Sequence, residues 1–434
     1  MKKLNDFSSI DSGVVLNAAE RFGSPLYLYD ERMLEDTCKT LLSIPNAYGL
    51  TVRYAMKANP NRTLLKLICG LGLHIDASSV NEALRAHMAG IGYDKIMLTT
   101  QEAPEGEDMR ALEDMMLQGL KYNVCSLLQL RNIADFAARS GIALAMRVHP
   151  GIGAGETVTR NTGDDYSCFG VHMSDLEGAL AFAGEKGVAF DVVHTHIGSG
   201  GDPAVWKSNV DLELGIAEKY FPRAAAVNFG GGLKAARMPD EKAADIQGLG
   251  EYSKGRLEDF YRRTGRKLRA EIEPGTFVTA NAGYLVMRVA DKKRTGAAGL
   301  NFIILNGGME LNTRPLLYGS RHPFYIVSRS GELKFSEFGA AQGGLYEAAV
   351  VGRCCESGDS QSLAPDGHII PRALPEPEIG DLFIVGGAGA YCSGMSLFNY
   401  NSHVQVPEIL YSQDAGLTEI RRRQTLAQIV ENEI

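Results

Sequence analysis

Eight β-rich runs alternate with helical patterns between residues 51 and 273, and that alternation limits the fold more than any other feature of the chain. The runs are Thr51 to Lys57, Leu73 to Ala77, Lys95 to Thr99, Lys121 to Ser126, Ala143 to Val148, Asp191 to Ile197, Ala226 to Phe229 and Leu268 to Glu273. Between them, apolar residues recur at three- and four-residue spacing, as in Leu127, Leu130, Ile133, Ala134 and Ala137, or Leu176, Ala179, Ala181 and Phe182. Parallel neighbours need a crossover, so strict alternation implies a parallel sheet. Eight repeats over about 220 residues is the size of a (β/α)8 barrel. A doubly wound open sheet gives a similar alternation, and the count of eight favours the barrel.

After Ala282 the texture changes. Short runs (Phe302 to Leu305, Pro323 to Ser328, Leu333 to Phe338, Ala348 to Gly352, Asp381 to Val385, Val404 to Leu410) are separated by Gly, Pro, Asp and Asn. This pattern predicts an all-β domain, either a sandwich or a small barrel. The early run Pro25 to Tyr29 is strand-like and pairs with that second domain in this reading. The expected organisation is an N-terminal segment (1–35) joining the β domain, a barrel (36–285) and a C-terminal β domain (286–434).

A formal charge of -8 offers no basic stripe for a nucleic-acid backbone. No run of 18 uncharged apolar residues is present, and the first residues lack a signal-peptide stretch, so a cytoplasmic location is expected. The seven cysteines (Cys38, Cys69, Cys125, Cys168, Cys354, Cys355, Cys392) show no C-x-x-C spacing, which points to reduced thiols, most of them in the core. The polar, Gly-rich segment Gly151 to Cys168 follows the fifth strand and reads either as a flap over the catalytic face or as a surface insertion.

Reactive groups in such barrels sit at the C-terminal strand ends. Strand one runs into Lys57, which is either a buried amine activated by a lowered pKa or a surface lysine just past the strand. Strand six ends in His194-Thr195-His196, where the i, i+2 spacing suits a metal pair or one stacking imidazole beside a core neighbour. Strand seven ends in Gly230, Gly231 and Gly232, whose bare backbone suits a phosphate, or alternatively a flexible turn. Strand eight carries Glu271 and Glu273, one a candidate partner for a protonated ring nitrogen and either a candidate structural ion pair. A lysine, an imidazole, a phosphate nest and a carboxylate on one face together suit pyridoxal 5'-phosphate.

The motifs YAMKAN, HTHIGSG, NFGGGL, EIEPG, CCESGD and GAY resemble, in order, those of the fold-type III pyridoxal-phosphate amino-acid decarboxylases. That family includes diaminopimelate, ornithine and arginine decarboxylases, with alanine racemase more distant, and the resemblance runs from about Pro25 to about Leu410. It implies an α/β plus β fold of the alanine racemase/ornithine decarboxylase type. It implies Lys57 as the lysine condensing with the cofactor aldehyde, His196 stacked on the pyridine ring and Glu273 on its nitrogen. Ser199, Gly230, Gly231, Gly232 and Gly275 would hold the phosphate with Tyr391 closing over it, while Asp76 and Arg147 support the lysine and the ring. Cys355 matches a cysteine that returns a proton to carbon from the other subunit of a head-to-tail homodimer.

Arg314 and Tyr318, in NTRPLLY, match the pair that holds the distal carboxylate of diaminopimelate, and Glu356 matches the diaminopimelate type. Tyr391 also borders the substrate. The reaction implied is meso-diaminopimelate to L-lysine plus carbon dioxide, in lysine biosynthesis. The family usually has Arg after Glu-Pro-Gly, where this chain has Thr276, so a different diamino or carboxylated amino acid is the alternative. Smaller departures are Cys168 and the stretch Thr99 to Glu102. Further alternatives are a non-catalytic regulator and a metal-dependent hydrolase using His194 and His196. Nothing else in the sequence points to a metal.

Overall fold

The computed structural model describes residues 2–153, 162–164, 166–199, 201–339 and 344–434. The chain divides into two compact units: Thr37–Lys234 with Ala243–Phe277, and Met1–Asp36 with Ala235–Lys242 and Val278–Ile434. One strand, β1 (Leu26–Asp30), precedes the first of these units.

The barrel unit contains β2 (Leu50–Ala55), β3 (His74–Ala77), β4 (Ile96–Leu98), β5 (Lys121–Val124), β6 (Leu144–His149), the two-residue β7 (Val171–His172), β8 (Phe190–His194), β9 (Ala226–Asn228) and β10 (Arg269–Ile272). All pairings are parallel, in the order β2-β3-β4-β5-β6-β8-β9-β10, and β10 returns to β2. The sheet is therefore a closed eight-stranded barrel, with β7 only lengthening the edge beside β6. Met97, Ala145, Val192 and Ala226 form an apolar cluster, and Asn228 Nδ2 lies 3.8 Å from Met97 Sδ. Apolar contact thus gives way to polar residues towards the strand ends.

The connecting helices start where their sequences say they should. Ser79 Oγ accepts from Glu82 N–H, and the Glu82 carboxylate accepts from Ser78 N–H. Ser126 and Gln129 repeat the arrangement, with Gln129 Oε1 taking the Cys125 N–H. Such reciprocal caps satisfy amide donors that a helix start leaves orphaned. Gly141, Gly187 and Gly265, each left-handed, end three of the helices.

The second unit holds β1 and β11 (Gly283–Arg294), β12 (Asn301–Leu305), β13 (Phe324–Val327), β14 (Leu333–Ser336), β15 (Leu345–Val351), β16 (Arg372–Pro375), β17 (Leu382–Val385), β18 (Glu408–Ser412) and β19 (Gly416–Arg421). The sheet order is β14-β13-β17-β11-β1-β18-β19, with β12, β15 and β16 branching from the far half of β11. Most pairings are antiparallel; β1–β18 and β12–β15 are parallel. Leu26, Leu28, Tyr284, Val286, Tyr325, Ile384 and Ile409 meet in its core.

The sequence reading does not find β11, β16 or β19. The apolar first half of β11 turns into Asp291-Lys292-Lys293-Arg294 beyond a register shift after Val289, so no single alternation runs through it. No helix among the described residues is long and apolar enough to cross a membrane.

Candidate active site

Each of the eight barrel strands delivers at least one polar side chain at or within two residues of its C-terminal end, and eight of these concern the site. They are Lys57, Asp76, Thr99, Asn123, Arg147, His194, Asn228 and Glu273. All but Lys57 are buried. This rim is where parallel barrels place their chemistry.

Lys57 departs from the buried-amine reading. β2 ends at Ala55, the chain then makes a short 3-10 turn over Met56–Ala58, and Lys57 is exposed on that turn. It is a lysine past the strand, so burial is not what would activate it. Its charge still reaches inward. Burial raises the Asp76 carboxyl well above the usual range and the Glu273 charge adds to this, with Lys57 and Thr99 only partly opposing. Glu82 is raised by burial against the same lysine.

Glu273 goes the other way. Burial acts to raise it, but His194 first, with His196 and Arg147, outweighs burial and holds it well below the usual carboxylate range. Asn228 Nδ2 donates to its Oε1 at 2.6 Å, and His194 Nε2 lies 3.3 Å from its Oε2. Glu271 takes the structural role instead. Arg53 Nε and Nη2 grip its two oxygens at 2.7 and 3.1 Å, and Arg269 Nη2 adds a contact at 2.9 Å.

Among the described residues the histidine pair belongs to no group of three side chains at ligand spacing; the one such group is Glu310, Cys354 and Asp359. The carboxylates of that group already accept from the Gly308, Met309 and Cys354 N–H groups and from Arg353 Nε. The half-buried His196 accepts the Gly231 N–H at its Nδ1, 2.9 Å away. Burial, followed by Arg147 and Lys57, pushes its pKa well down, which keeps the ring neutral.

The three glycines are required by close approach. Gly230 and Gly232 have φ of +69° and +91°, and a Cβ on Gly230 would stand 2.5 Å from Thr195 O and 2.6 Å from His196 Nδ1. Ser199 and Gly275 are partly exposed nearby in sequence to His196 and Glu273. Arg147 is buried with Nε and Nη2 lacking hydrogen-bond partners among the described residues, as is Asp76 Oδ1. A flat, phosphorylated, hydrogen-bonding group fits this donor set: an amine, an ionised carboxylate, a neutral imidazole, a side-chain-free backbone turn and a guanidinium with donors to spare.

In the second unit Arg314 is buried, with its guanidinium carbon 5.8 Å from the Tyr318 ring centre and 5.9 Å from that of Tyr391. Tyr391 has a φ of +56°, unusual for a side chain of that size. Cys355 and Glu356 are exposed; Cys355 N–H donates to Asn401 Oδ1 at 2.8 Å, and Tyr400 OH to Glu356 Oε2 at 3.4 Å. Asn399, Asn401 and Ser402 all have φ between 50° and 60°, so a strained run holds this segment. All seven cysteines are free; Cys168 and Cys355 are exposed, and four others are buried. For the segment Gly151 to Cys168, residues 154–161 and 165 lie outside the described residues; His149 Nε2 contacts Asp164 O and Ser167 O at its C-terminal flank.

The sequence reading misses Asn123, Asn228, Glu82 and Asn401. A single polar residue closing an otherwise apolar strand is the signal for the first two. No local pattern marks Asn401, whose role comes from a backbone conformation.

A family model described as "Pyridoxal-dependent decarboxylase, pyridoxal binding domain" matches residues 35–280. The diaminopimelate decarboxylase of Streptomyces coelicolor is 29% identical over 98% of this chain and 93% of its own length. That of Methanothermobacter thermautotrophicus is 30% identical over 95% and 92%. A crystal structure of a diaminopimelate decarboxylase superposes with a TM-score of 0.87 at 28% identity, covering 96% of both chains. A mutant diaminopimelate decarboxylase from Helicobacter pylori, complexed with L-lysine, gives 0.80 at 25%, covering 96% of this chain and 98% of that one.

Proposed function

This chain belongs to the pyridoxal-dependent decarboxylase family, as a carboxy-lyase using pyridoxal 5'-phosphate, and on that premise we propose that it converts meso-diaminopimelate to L-lysine and carbon dioxide. The observation that carries the substrate choice is Arg314, a buried guanidinium flanked by Tyr318 and Tyr391. A planar guanidinium pairs with a carboxylate through two parallel hydrogen bonds. Diaminopimelate has a second carboxylate to offer it, and ornithine and lysine do not. The full-length likeness to diaminopimelate decarboxylases supports the same choice.

The bound cofactor supplies a ring that accepts the electron pair left when carbon dioxide departs. Lys57 supplies the amine that holds it. Glu273, ionised, with Asn228 bonded to one oxygen and His194 Nε2 3.3 Å from the other, would favour a proton on the ring nitrogen, because an adjacent anion stabilises the charged form. The neutral His196 would stack on the ring, and Gly230, Gly231, Gly232, Gly275 and Ser199 would offer backbone and hydroxyl donors to the phosphate, with Tyr391 the residue assigned to close over it. Asp76 and Arg147 would support Lys57 and the ring. Cys355 would donate the proton that replaces the lost carboxyl group, and Glu356, next to it, would contact the substrate. Cys355 and Glu356 are exposed in the single chain, in keeping with a homodimer in which they serve the partner's site.

Thr276 favours a second reading. Its hydroxyl opens the short helix Thr276–Thr279 and carries no charge, so a substrate with one fewer anionic group, another diamino acid, is the alternative. Carbon dioxide release from meso-diaminopimelate, ornithine, lysine and arginine, measured side by side, decides between them. Diaminopimelate should be turned over with the highest kcat/KM; a higher value for any of the others would overturn the proposal.

A further inference from the structure

We propose that Asn123 and His194 form a positioning pair: Asn123 holds His194 as the neutral tautomer protonated at Nε2, and that proton holds Glu273 in place. The inference rests on the reading of Glu273 as the partner of the cofactor's ring nitrogen.

The argument begins with donors and acceptors. Asn123 Nδ2 lies 2.7 Å from His194 Nδ1 and 3.1 Å from Thr99 Oγ1. An amide nitrogen has two hydrogens and no lone pair to give, so both neighbours must accept. In the orientation the structure shows, Nδ2 faces both Thr99 Oγ1 and His194 Nδ1, so His194 Nδ1 accepts and is bare.

A neutral ring with a bare Nδ1 carries its hydrogen on Nε2, the atom 3.3 Å from Glu273 Oε2. The other oxygen of Glu273 accepts from Asn228 Nδ2 at 2.6 Å. Asn228 is oriented in turn, because its Oδ1 accepts the Gly230 N–H at 3.0 Å. Asn123, His194 and Asn228 are fully buried and Glu273 nearly so. The carboxylate thus takes a hydrogen bond from Asn228 of β9 at one oxygen and has the imidazole of His194, on β8, 3.3 Å from the other. Removing a partner from such a network costs more than the bond itself, since a buried polar atom is left unsatisfied.

The test is nitrogen NMR of the histidine-labelled protein saturated with pyridoxal 5'-phosphate. From roughly pH 6 to 8, the range where histidine ordinarily titrates, His194 should carry its hydrogen on Nε2 with Nδ1 bare. A hydrogen on Nδ1, or on both nitrogens, overturns the proposal. His194→Phe should lower kcat on the order of 10–100-fold, as loss of an orienting partner does elsewhere, with little change in KM. His194→Gln, whose amide can donate in the place of Nε2, should recover much of that loss; equal losses overturn the proposal. Should His194→Phe fail to fold, Asn123→Asp decides. An acceptor at 123 draws a proton onto Nδ1, so the pH profile of kcat and the visible absorbance of the bound cofactor should shift, and an unchanged pair of profiles overturns the proposal. Full turnover by Glu273→Gln would remove the underlying reading together with the catalytic part of the inference, whereas a wrong tautomer removes the inference alone.

Discussion

Replacing Gly230 with alanine tests whether the glycine run is a built cradle or a flexible turn. Gly230 sits at φ +69°, and a non-glycine residue there costs about 1–2 kcal/mol. The added methyl would lie 2.5 Å from the Thr195 carbonyl and 2.6 Å from His196 Nδ1, and forcing a group into such packing costs about 1–3 kcal/mol more. The expected total is therefore about 2–5 kcal/mol. The carbonyl belongs to the backbone, so His196 is the group with room to give, and moving it breaks its bond to the Gly231 N–H. Strain kept in the cofactor-free protein appears as a lower melting temperature, at about 2–4 °C per kcal/mol for a unit of this size. Strain relieved by moving His196 appears instead as weaker cofactor binding, tenfold per 1.4 kcal/mol, or about 30- to 3,000-fold if all of it goes there. Thermal melting of the cofactor-free protein and titration with pyridoxal 5'-phosphate measure the two parts, and their sum should reach at least about 2 kcal/mol. Gly255 is the control: it lies within the helix Ile246–Thr264, and a Cβ there meets nothing within 4 Å. Gly255→Ala should be neutral or stabilise by up to about 1 kcal/mol. If Gly230→Ala costs no more than Gly255→Ala by both measurements, the cradle reasoning is wrong.

Lys57→Ala should abolish turnover and leave borohydride nothing to fix at position 57, as peptide mass analysis will show; retained turnover would remove Lys57 from its assigned place. Glu271→Ala should destabilise the barrel by about 3–5 kcal/mol in chemical denaturation, because it leaves Arg53 buried without its carboxylate, and a loss below about 1 kcal/mol would contradict that. Glu213 is buried, and burial raises its carboxyl well above the ordinary value despite the Thr195 hydroxyl that donates to it. The folded state therefore keeps a proton that the unfolded chain releases, and wild-type stability falls as pH rises above the ordinary carboxylate range. Glu213→Gln lacks this penalty, so its melting temperature relative to wild type should climb with pH, and a constant difference would refute the assignment. Mixing inactive Lys57→Ala and Cys355→Ala proteins should restore carbon dioxide release if sites are shared between subunits; no recovery, with mixed dimers shown to form, would count against the shared site.

The barrel is legible in the sequence because each strand is short, apolar and bounded by helix-starting residues such as Ser79 and Ser126. β11 is not, since its second half is charged and its partners change midway from β17 to β12. The rim follows the same division. His196, Glu273 and the glycines stand out as chemistry-bearing types at strand ends. The separate fates of Glu271 and Glu273 do not, since two glutamates at i and i+2 look alike until Arg53 on β2 and His194 on β8 are seen beside them. Lys57 illustrates the limit of strand prediction. The apolar run Tyr54-Ala55-Met56 reads as strand through to the lysine, but the last turn is 3-10 and leaves Lys57 exposed. Asn401 holds the Cys355 N–H only because its own φ is +50°, which no composition or spacing announces.

Asp76 and Glu273 show how one rim supports two carboxyl groups with different duties. Burial raises both, so desolvation cannot separate them. What separates them is the company each keeps. Glu273 is faced by His194, His196 and Arg147, and it ends up ionised. Asp76 has Thr99 and the more distant pull of Lys57, and it also feels the negative charge of Glu273, so it is pushed up. The two are therefore linked: the charge that makes Glu273 a partner for a protonated ring nitrogen is one of the causes that push the Asp76 carboxyl up. Environments that drive paired carboxyls apart are how acid and base duties are divided at one pH.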